Sequence, residues 1–308
     1  MTRKLGLPLI LVVALAVSCA AWAEDGKAGS TYLDVFAIGV GAAPSAMAAY
    51  TAAPGDLWSL AYNPAGLYNV DRISVGVSVF EWVEDTSYNY VGLAMPTGGG
   101  ALGIGVAYFD LGGVPITDIA GEETGEVAEA DNLGVTAGYG IQWPTVCELS
   151  IGISGHVIRG ALHEDSATAL GLNLGVLYAM MHEQVNLGAS VRNLGTRFKF
   201  DEEEDEQTMT LGAGLSYMPD LGDTRADVII GLDVQVPKNR DPAVAVGGEV
   251  WFVDMLALRA GYRTGVDMGN LSFGAGFRIS DFQLDYTYTD HESQGSSNRL
   301  SISVGLRG

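Results

Sequence analysis

Residues 299–307 read Arg-Leu-Ser-Ile-Ser-Val-Gly-Leu-Arg. Leu300, Ile302, Val304 and Leu306 fall on one face. Arg299, Ser301, Ser303, Gly305 and Arg307 fall on the other. A strand turns successive side chains to opposite faces, so this stretch predicts a two-faced ribbon with one apolar surface. The same alternation recurs upstream. Leu271, Phe273, Ala275, Phe277 and Ile279 oppose Ser272, Gly274, Gly276, Arg278 and Ser280. Phe282, Leu284, Tyr286 and Tyr288 oppose Gln283, Asp285, Thr287 and Thr289.

Working back from the C-terminus, this pattern predicts fourteen strands: 72–82, 87–96, 101–110, 130–142, 147–158, 167–179, 184–194, 208–218, 225–236, 242–252, 255–264, 270–280, 282–290 and 298–307. Most run about ten residues, the length a tilted strand needs to cross a bilayer. A soluble β-sandwich also alternates, but its strands average nearer five or six residues and its outer face is polar. Here the face opposite the apolar one is rich in Gly, Ser and Thr with scattered charge, which suits an enclosed interior. The expectation is an all-β fold: a closed antiparallel transmembrane β-barrel of about 14 strands with an N-terminal hatch or plug. Closure is required because lipid offers no partner for an open sheet edge.

The ends of the strands carry the orientation. If the first strand runs outward, the outer connections are 83–86, 111–129, 159–166, 195–207, 237–241, 265–269 and 291–297. The inner ones are shorter, and the three longest connections all fall outside, the asymmetry expected of such barrels. Acidic clusters also fall outside: Glu122, Glu123 and Glu126, then residues 201–206.

Residues 1–23 read as a secretory signal peptide. Arg3 and Lys4 precede the apolar run Leu5 to Ser18, and Ala21-Trp22-Ala23 forms a small-x-small cleavage site. A retained anchor and lipoprotein processing at Cys19 are the alternatives. The whole chain has 16 Lys+Arg against 37 Asp+Glu, a net charge of −21; losing Arg3, Lys4 and no acid leaves 14 against 37, or −23. That charge argues against nucleic acid as a partner. It is compatible with outer-membrane lipid and lipopolysaccharide cross-linked by divalent cations. Mean hydropathy is nonetheless positive. Both facts fit if apolar residues face lipid and acids gather in loops. The 42 glycines suit a lumen crowded by a plug.

Residues 24–71 lack strand alternation and form the expected hatch-like segment, with 72–308 as the barrel. Ala48-Ala49 and Leu57 to Ala61 are candidates for short helical turns, interrupted by Pro44, Pro54 and Pro64. The stretch from Ile38-Gly39-Val40-Gly41-Ala42 through Asp56 to Asn63-Pro64-Ala65-Gly66-Leu67 resembles the N-terminal region of the PorV/PorQ family, which is related to FadL-type outer-membrane transporters of hydrophobic compounds. The resemblance implies a hatch at Asn63, Pro64, Ala65, Gly66 and Leu67, folded into the periplasmic mouth. It implies passive transport of small hydrophobic molecules. The PorV branch implies instead an interaction protein that serves type IX secretion, with secretion-system proteins as partners. Both readings stay open at this point, and both place the protein in the bacterial outer membrane after cleavage near Ala23.

No catalytic constellation stands out, so the sequence argues against an enzyme, and no cofactor or metal is expected. His156, His163, His182 and His291 lie in separate segments without ligand-like spacing. His163 with Glu164 and Asp165, and residues 201–206, read as solvated loops before they read as cation sites. The inward-facing charges are the more informative set. The register places Arg192, Asp227, Asp233, Glu249, Arg259, Arg263, Arg278, Asp285 and Arg299 in the lumen. Facing lipid, an Arg would cost about 2–4 kcal/mol near the midplane. Their mixed signs suggest bracing pairs; guidance of a solute is the alternative.

Overall fold

The computed structural model describes residues 38–81, 86–117, 122–143, 145–146, 148–162, 165–200, 203–222, 224–238, 240–265, 270–291 and 295–306. The signal-peptide reading of residues 1–23, the first part of the hatch-like segment, His163, Glu164, Asp201, Glu202 and Arg307 lie outside the described residues.

Fourteen antiparallel strands close into one barrel. They are β1 (Ile73–Glu81), β2 (Ser87–Thr97), β3 (Gly100–Thr117), β4 (Glu123–Gln142), β5 (Leu149–Leu162), β6 (Asp165–Met180), β7 (Val185–Gly195), β10 (Thr210–Tyr217), β11 (Ala226–Pro237), β12 (Ala243–Phe252), β13 (Leu256–Thr264), β14 (Leu271–Ile279), β15 (Phe282–His291) and β16 (Gly295–Leu306). Two short strands, β8 (Arg197–Phe200) and β9 (Glu203–Glu206), form a separate hairpin between β7 and β10. Closure is made by β1 with β16, from Ile73 opposite Leu306 to Glu81 opposite Asn298. Every edge is thereby paired.

The alternation predicted for the last strand holds. Leu300 is 43% exposed and Leu306 48%, whereas Ser301 is 1% and Arg299 6%. The same rule puts Val75, Val91, Ile104, Val135, Leu174, Leu232, Val246, Leu258, Phe273 and Tyr286 on the outside. A closed barrel with an apolar exterior presents that surface to hydrocarbon.

One end of the barrel has tight turns and the other has long hairpins. At the turn end, Val253 and Asp254 (φ 47° and 56°) join β12 to β13, and Ser280-Asp281 joins β14 to β15. At the loop end the strands outrun the expectation. The stretches 111–129 and 159–166, expected as loops, are largely strand: β3 has 18 residues, β4 has 20 and β5 has 14. Gly112, Gly113 and Pro115 read as loop formers, but a register shift between Asp110 and Gly113 absorbs the extra residue as a bulge. Gly112 takes φ +72° there and donates its N–H to Asp110 Oδ1 at 2.9 Å. Strands this long exceed what a bilayer crossing needs, so the hairpins project beyond it.

Inside the barrel lies the segment before β1. Helix α1 (Ala42–Met47) starts at Gly41 and carries Pro44 in its first turn, where a missing N–H costs no hydrogen bond. It sits several residues before the turn expected at Ala48-Ala49, because Ala48 (φ 58°) ends it. Helix α2 (Ser59–Tyr62) falls within a residue or two of the expected turn. A 3-10 helix follows over Pro64–Asn69, capped by the Asn63 side chain, which accepts from Ala65 N at 3.2 Å.

Candidate functional site

The inner segment follows the wall around the lumen, visiting the strands in reverse order. Ala42 meets β15 and β16: its N–H donates to Ser301 Oγ at 3.0 Å and its carbonyl accepts from Thr287 Oγ1. Ser272 of β14 donates to Ala46 O at 2.9 Å. Arg263 of β13 donates to Ala48 O at 3.0 Å. Asp233 of β11 accepts the N–H groups of Tyr50 (2.9 Å) and Thr51 (2.8 Å). Ser216 of β10 donates to Ala52 O at 2.7 Å. Asn63 then spans segment and wall, donating to Thr51 O at 2.8 Å and to Val176 O of β6 at 3.1 Å.

Such close approach needs glycine on the wall. A Cβ at Gly247 would overlap the Met47 carbonyl, one at Gly188 the Thr51 carbonyl, and one at Gly152 the Pro64–Ala65 peptide. Gly76, Gly92, Gly103, Gly138, Gly175, Gly214, Gly231, Gly261 and Gly274 face the same segment within 3.1 Å of where a Cβ would sit. Every barrel strand except β15 and β16 therefore contributes a glycine to one belt. Within the ring, Tyr50, Leu57, Trp58, Leu60, Tyr62 and Leu67 fill the centre of the lumen as one apolar cluster. Rings of Tyr50 and Tyr62 lie 5.2 Å apart, and those of Trp58 and Tyr90 6.1 Å apart.

The nine inward charges are placed as follows. Arg192 donates to Ala61 O and to Gln235 Oε1, both at 3.3 Å. Arg299 donates to Gly39 O and lies 4.3 Å over the Phe80 ring. With Asp233 and Arg263, that makes four side chains on the inner segment's backbone. Arg259 bridges Glu249 and Asp285, the latter at 2.8 Å, in a nearly solvent-free triad. Arg278 stacks 4.0 Å over Trp251 and donates to Gln283 at 2.8 and 3.0 Å. Gln283 passes a hydrogen bond to Asp285 at 2.8 Å. Asp227 is exposed near the turn end. The histidines are not gathered: His156 pairs with Gln207 at 2.7 Å, His291 with Ser297 at 2.7 Å, and His182 sits exposed on the β6–β7 turn.

Between the inner segment and strands β11–β16, a cavity of about 460 Å³ lies at the turn end. Its lining includes Met47, Tyr50, Asp56, Trp251, Arg278 and Gln283. Asp56 Oδ1 accepts the Trp58 N–H at 2.8 Å. Burial pushes the Asp56 carboxyl up to about 7, against the hydrogen bonds from Tyr50 and Trp58, and the carboxylates of Asp285 and Glu249 push the same way.

On the other side of the inner segment, toward the loop end, the lumen wall of β1–β6 is apolar and aromatic. Phe80, Tyr88, Phe109, Ala130, Ile158 and Ala169 are all buried there, and Tyr88 meets Phe109 edge-on at 6.2 Å. Sequence reasoning named only charges for the lumen and missed these residues. The glycine belt and the aromatic shelf emerge once strands are aligned in register, because neither is contiguous in the chain.

These features define a class: a transmembrane β-barrel of fourteen strands whose lumen is filled by its own N-terminal segment. Solved structures share that fold. A monoaromatic hydrocarbon channel, CymD, matches with a TM-score of 0.62 at 13% identity over 88% of this chain and 98% of that one. The Pseudomonas putida toluene transporter TodX matches at 0.58 and 13%, over 92% and 98%. A Pseudomonas aeruginosa FadL homologue matches at 0.54 and 11%, over 87% and 98%. No protein-family model and no curated protein matches the chain.

Proposed function

We propose that this chain is a bacterial outer-membrane barrel that binds small hydrophobic molecules in its loop-side lumen and passes them inward without an energy source. One observation carries the reading. A barrel interior is ordinarily polar, yet here the lumen wall above the inner segment presents Phe80, Tyr88, Phe109 and Ile158. An aromatic lining offers an apolar solute that reaches it burial worth roughly 25 cal/mol per Å². The fold shared with TodX, CymD and the FadL homologue supports the same reading. On this reading the turn end faces the periplasm and the acidic loop end faces outward, against lipopolysaccharide. No enzymatic step and no cofactor enters.

The segment at Asn63, Pro64, Ala65, Gly66 and Leu67 serves as the floor of the binding space. Asn63 ties it to both Thr51 and Val176, so the floor stays in place while solute leaves sideways into the hydrocarbon. Uptake of radiolabelled toluene by liposomes holding the purified barrel tests the proposal. Uptake above empty liposomes is the expected result; equality with empty liposomes contradicts it.

A fixed floor also favours a second reading, a non-conducting barrel that serves type IX secretion as an interaction protein. Cross-linking in native membranes separates the two: capture of secretion components without any solute uptake selects the second.

A further inference from the structure

Two opposite charges line the turn-end cavity without charged partners. Arg278 lies 4.0 Å over the Trp251 ring, where a cation meets the negative face of the aromatic. Its Nε and Nη2 both donate to Gln283 Oε1, and Gln283 is anchored in turn to Asp285. Nη1, with two N–H groups, has no partner among the described residues. On the inner-segment side, Asp56 accepts the Trp58 N–H at 2.8 Å and the Tyr50 hydroxyl. No cation pairs with it among the described residues. The other inward arginines are engaged: Arg259 with two carboxylates, and Arg192, Arg263 and Arg299 with carbonyls of the inner segment.

Neutral groups hold both side chains in place, so each charge is fixed in position yet left unneutralised. Both line one space of about 460 Å³, within the roughly 300–1,000 Å³ of ligand pockets. Simple ions suit it poorly. The Glu249–Arg259–Asp285 triad beside the cavity carries one net negative charge, and together with Asp56 it opposes a plain anion at Arg278. Arg278 in turn opposes a plain cation at Asp56. Met47, Leu57 and Ile229 add apolar surface to the same lining.

We propose that this cavity binds a small zwitterion with an apolar body, the chemistry of an amino acid such as phenylalanine, with its carboxylate on Arg278 Nη1 and its ammonium on Asp56. The site is separate from the loop-side lumen and does not depend on the transport reading. A charge-assisted hydrogen bond at each end gives the selectivity, because sites built to pair a polar group discriminate against analogues that lack it. The ammonium contact needs Asp56 ionised, and that carboxyl titrates at about 7. Burial, then Asp285 of β15 and Glu249 of β12, hold it there. Arg259 of β13 and Arg278 of β14 are the cations on the wall, and Asp71, Arg72 and Asp281 complete the charged lining. No histidine lines the cavity among the described residues.

Equilibrium dialysis with the full barrel in nanodiscs, against empty nanodiscs, compares phenylalanine with phenethylamine and 3-phenylpropanoate, which lack its carboxylate and its ammonium in turn. At pH 8 phenylalanine is expected to bind about tenfold more tightly than either, the worth of one charge-assisted hydrogen bond. Its affinity should fall about tenfold from pH 8 to pH 6 as Asp56 takes up a proton. Arg278→Gln should reduce phenylalanine to the level of phenethylamine. Asp56→Asn keeps the acceptor for the Trp58 N–H; it should abolish the pH dependence and bring phenylalanine to the level of 3-phenylpropanoate. Both variants are checked for the native heat-modifiable barrel on gels, and the ligand series and pH series of the unmodified barrel decide alone if neither folds. Phenylalanine binding no more tightly than its analogues, binding equally at pH 6 and pH 8, or binding untouched by Arg278→Gln in a folded barrel overturns the inference. Toluene uptake by the same protein is scored separately, so failure here leaves the transport reading standing.

Discussion

Asp56 shows how one side chain couples the inner segment to solution conditions. Its carboxyl titrates near 3.8 when free and is pushed up to about 7 in the fold. The folded state therefore holds a proton that the unfolded chain releases between those values. Stability falls as pH rises through that window, because there the folded state binds more protons than the unfolded one. Asp56→Asn keeps the acceptor for the Trp58 N–H and removes the titration. Urea midpoints of variant and parent should agree near pH 4, and the variant's should be higher above pH 7. Asp233 ties the inner segment to the wall directly. Its carboxylate takes two backbone N–H groups, and Asp233→Ala strands both. The expected cost is about 2–4 kcal/mol in local stability of the inner segment, read as faster hydrogen exchange at residues 49–53. The sequence placed Asp233 inward by parity alone. It could not show that the partner would be backbone from residues 50 and 51, since that contact depends on how the segment is laid along the wall.

At the scale of single elements, the strands were legible because lipid and lumen impose a strict period of two. All fourteen predicted ribbons are present, and β1, β12, β13 and β14 end within about two residues of their expected bounds. Legibility failed where neither lipid nor the plug reads the side chains. Beyond the bilayer, β3 and β4 continue through Gly112, Gly113 and Pro115 because pairing across a bulge outweighs local loop preference. The inner segment was legible as different but not as a path: its course follows the wall glycines, and those lie on many strands. Two predictions belong here. The β12–β13 turn holds Val253 at φ 47° and Asp254 at φ 56°, a geometry that suits Asn and Gly and strains a β-branched residue. Val253→Asn should raise barrel stability by about 1 kcal/mol in denaturant unfolding. Gly247→Leu should drive β12 against the Met47 carbonyl. The barrel should still form, since leucine suits a strand, but residues 42–52 should lose protection from protease while Gly98→Leu, in open space, leaves them protected.

For the whole molecule, the account rests on a closed sheet that turns one set of side chains to hydrocarbon and the alternate set onto its own N-terminal segment. The buried aromatic wall of β1–β6, the glycine belt and the buried Glu249–Arg259–Asp285 triad all follow from that inside-outside division. Leu232→Arg, on the lipid side, should cost about 2–4 kcal/mol near the midplane. The division is tested most directly by cysteine scanning of β16 in liposomes, with each position carrying a nitroxide and probed by oxygen and by a water-soluble nickel chelate. The account predicts that labels at 300, 302 and 304 collide with oxygen as lipid-exposed sites do, and that labels at 301 and 303 are shielded from it. Uniform collision along the strand, or the reverse alternation, would contradict it.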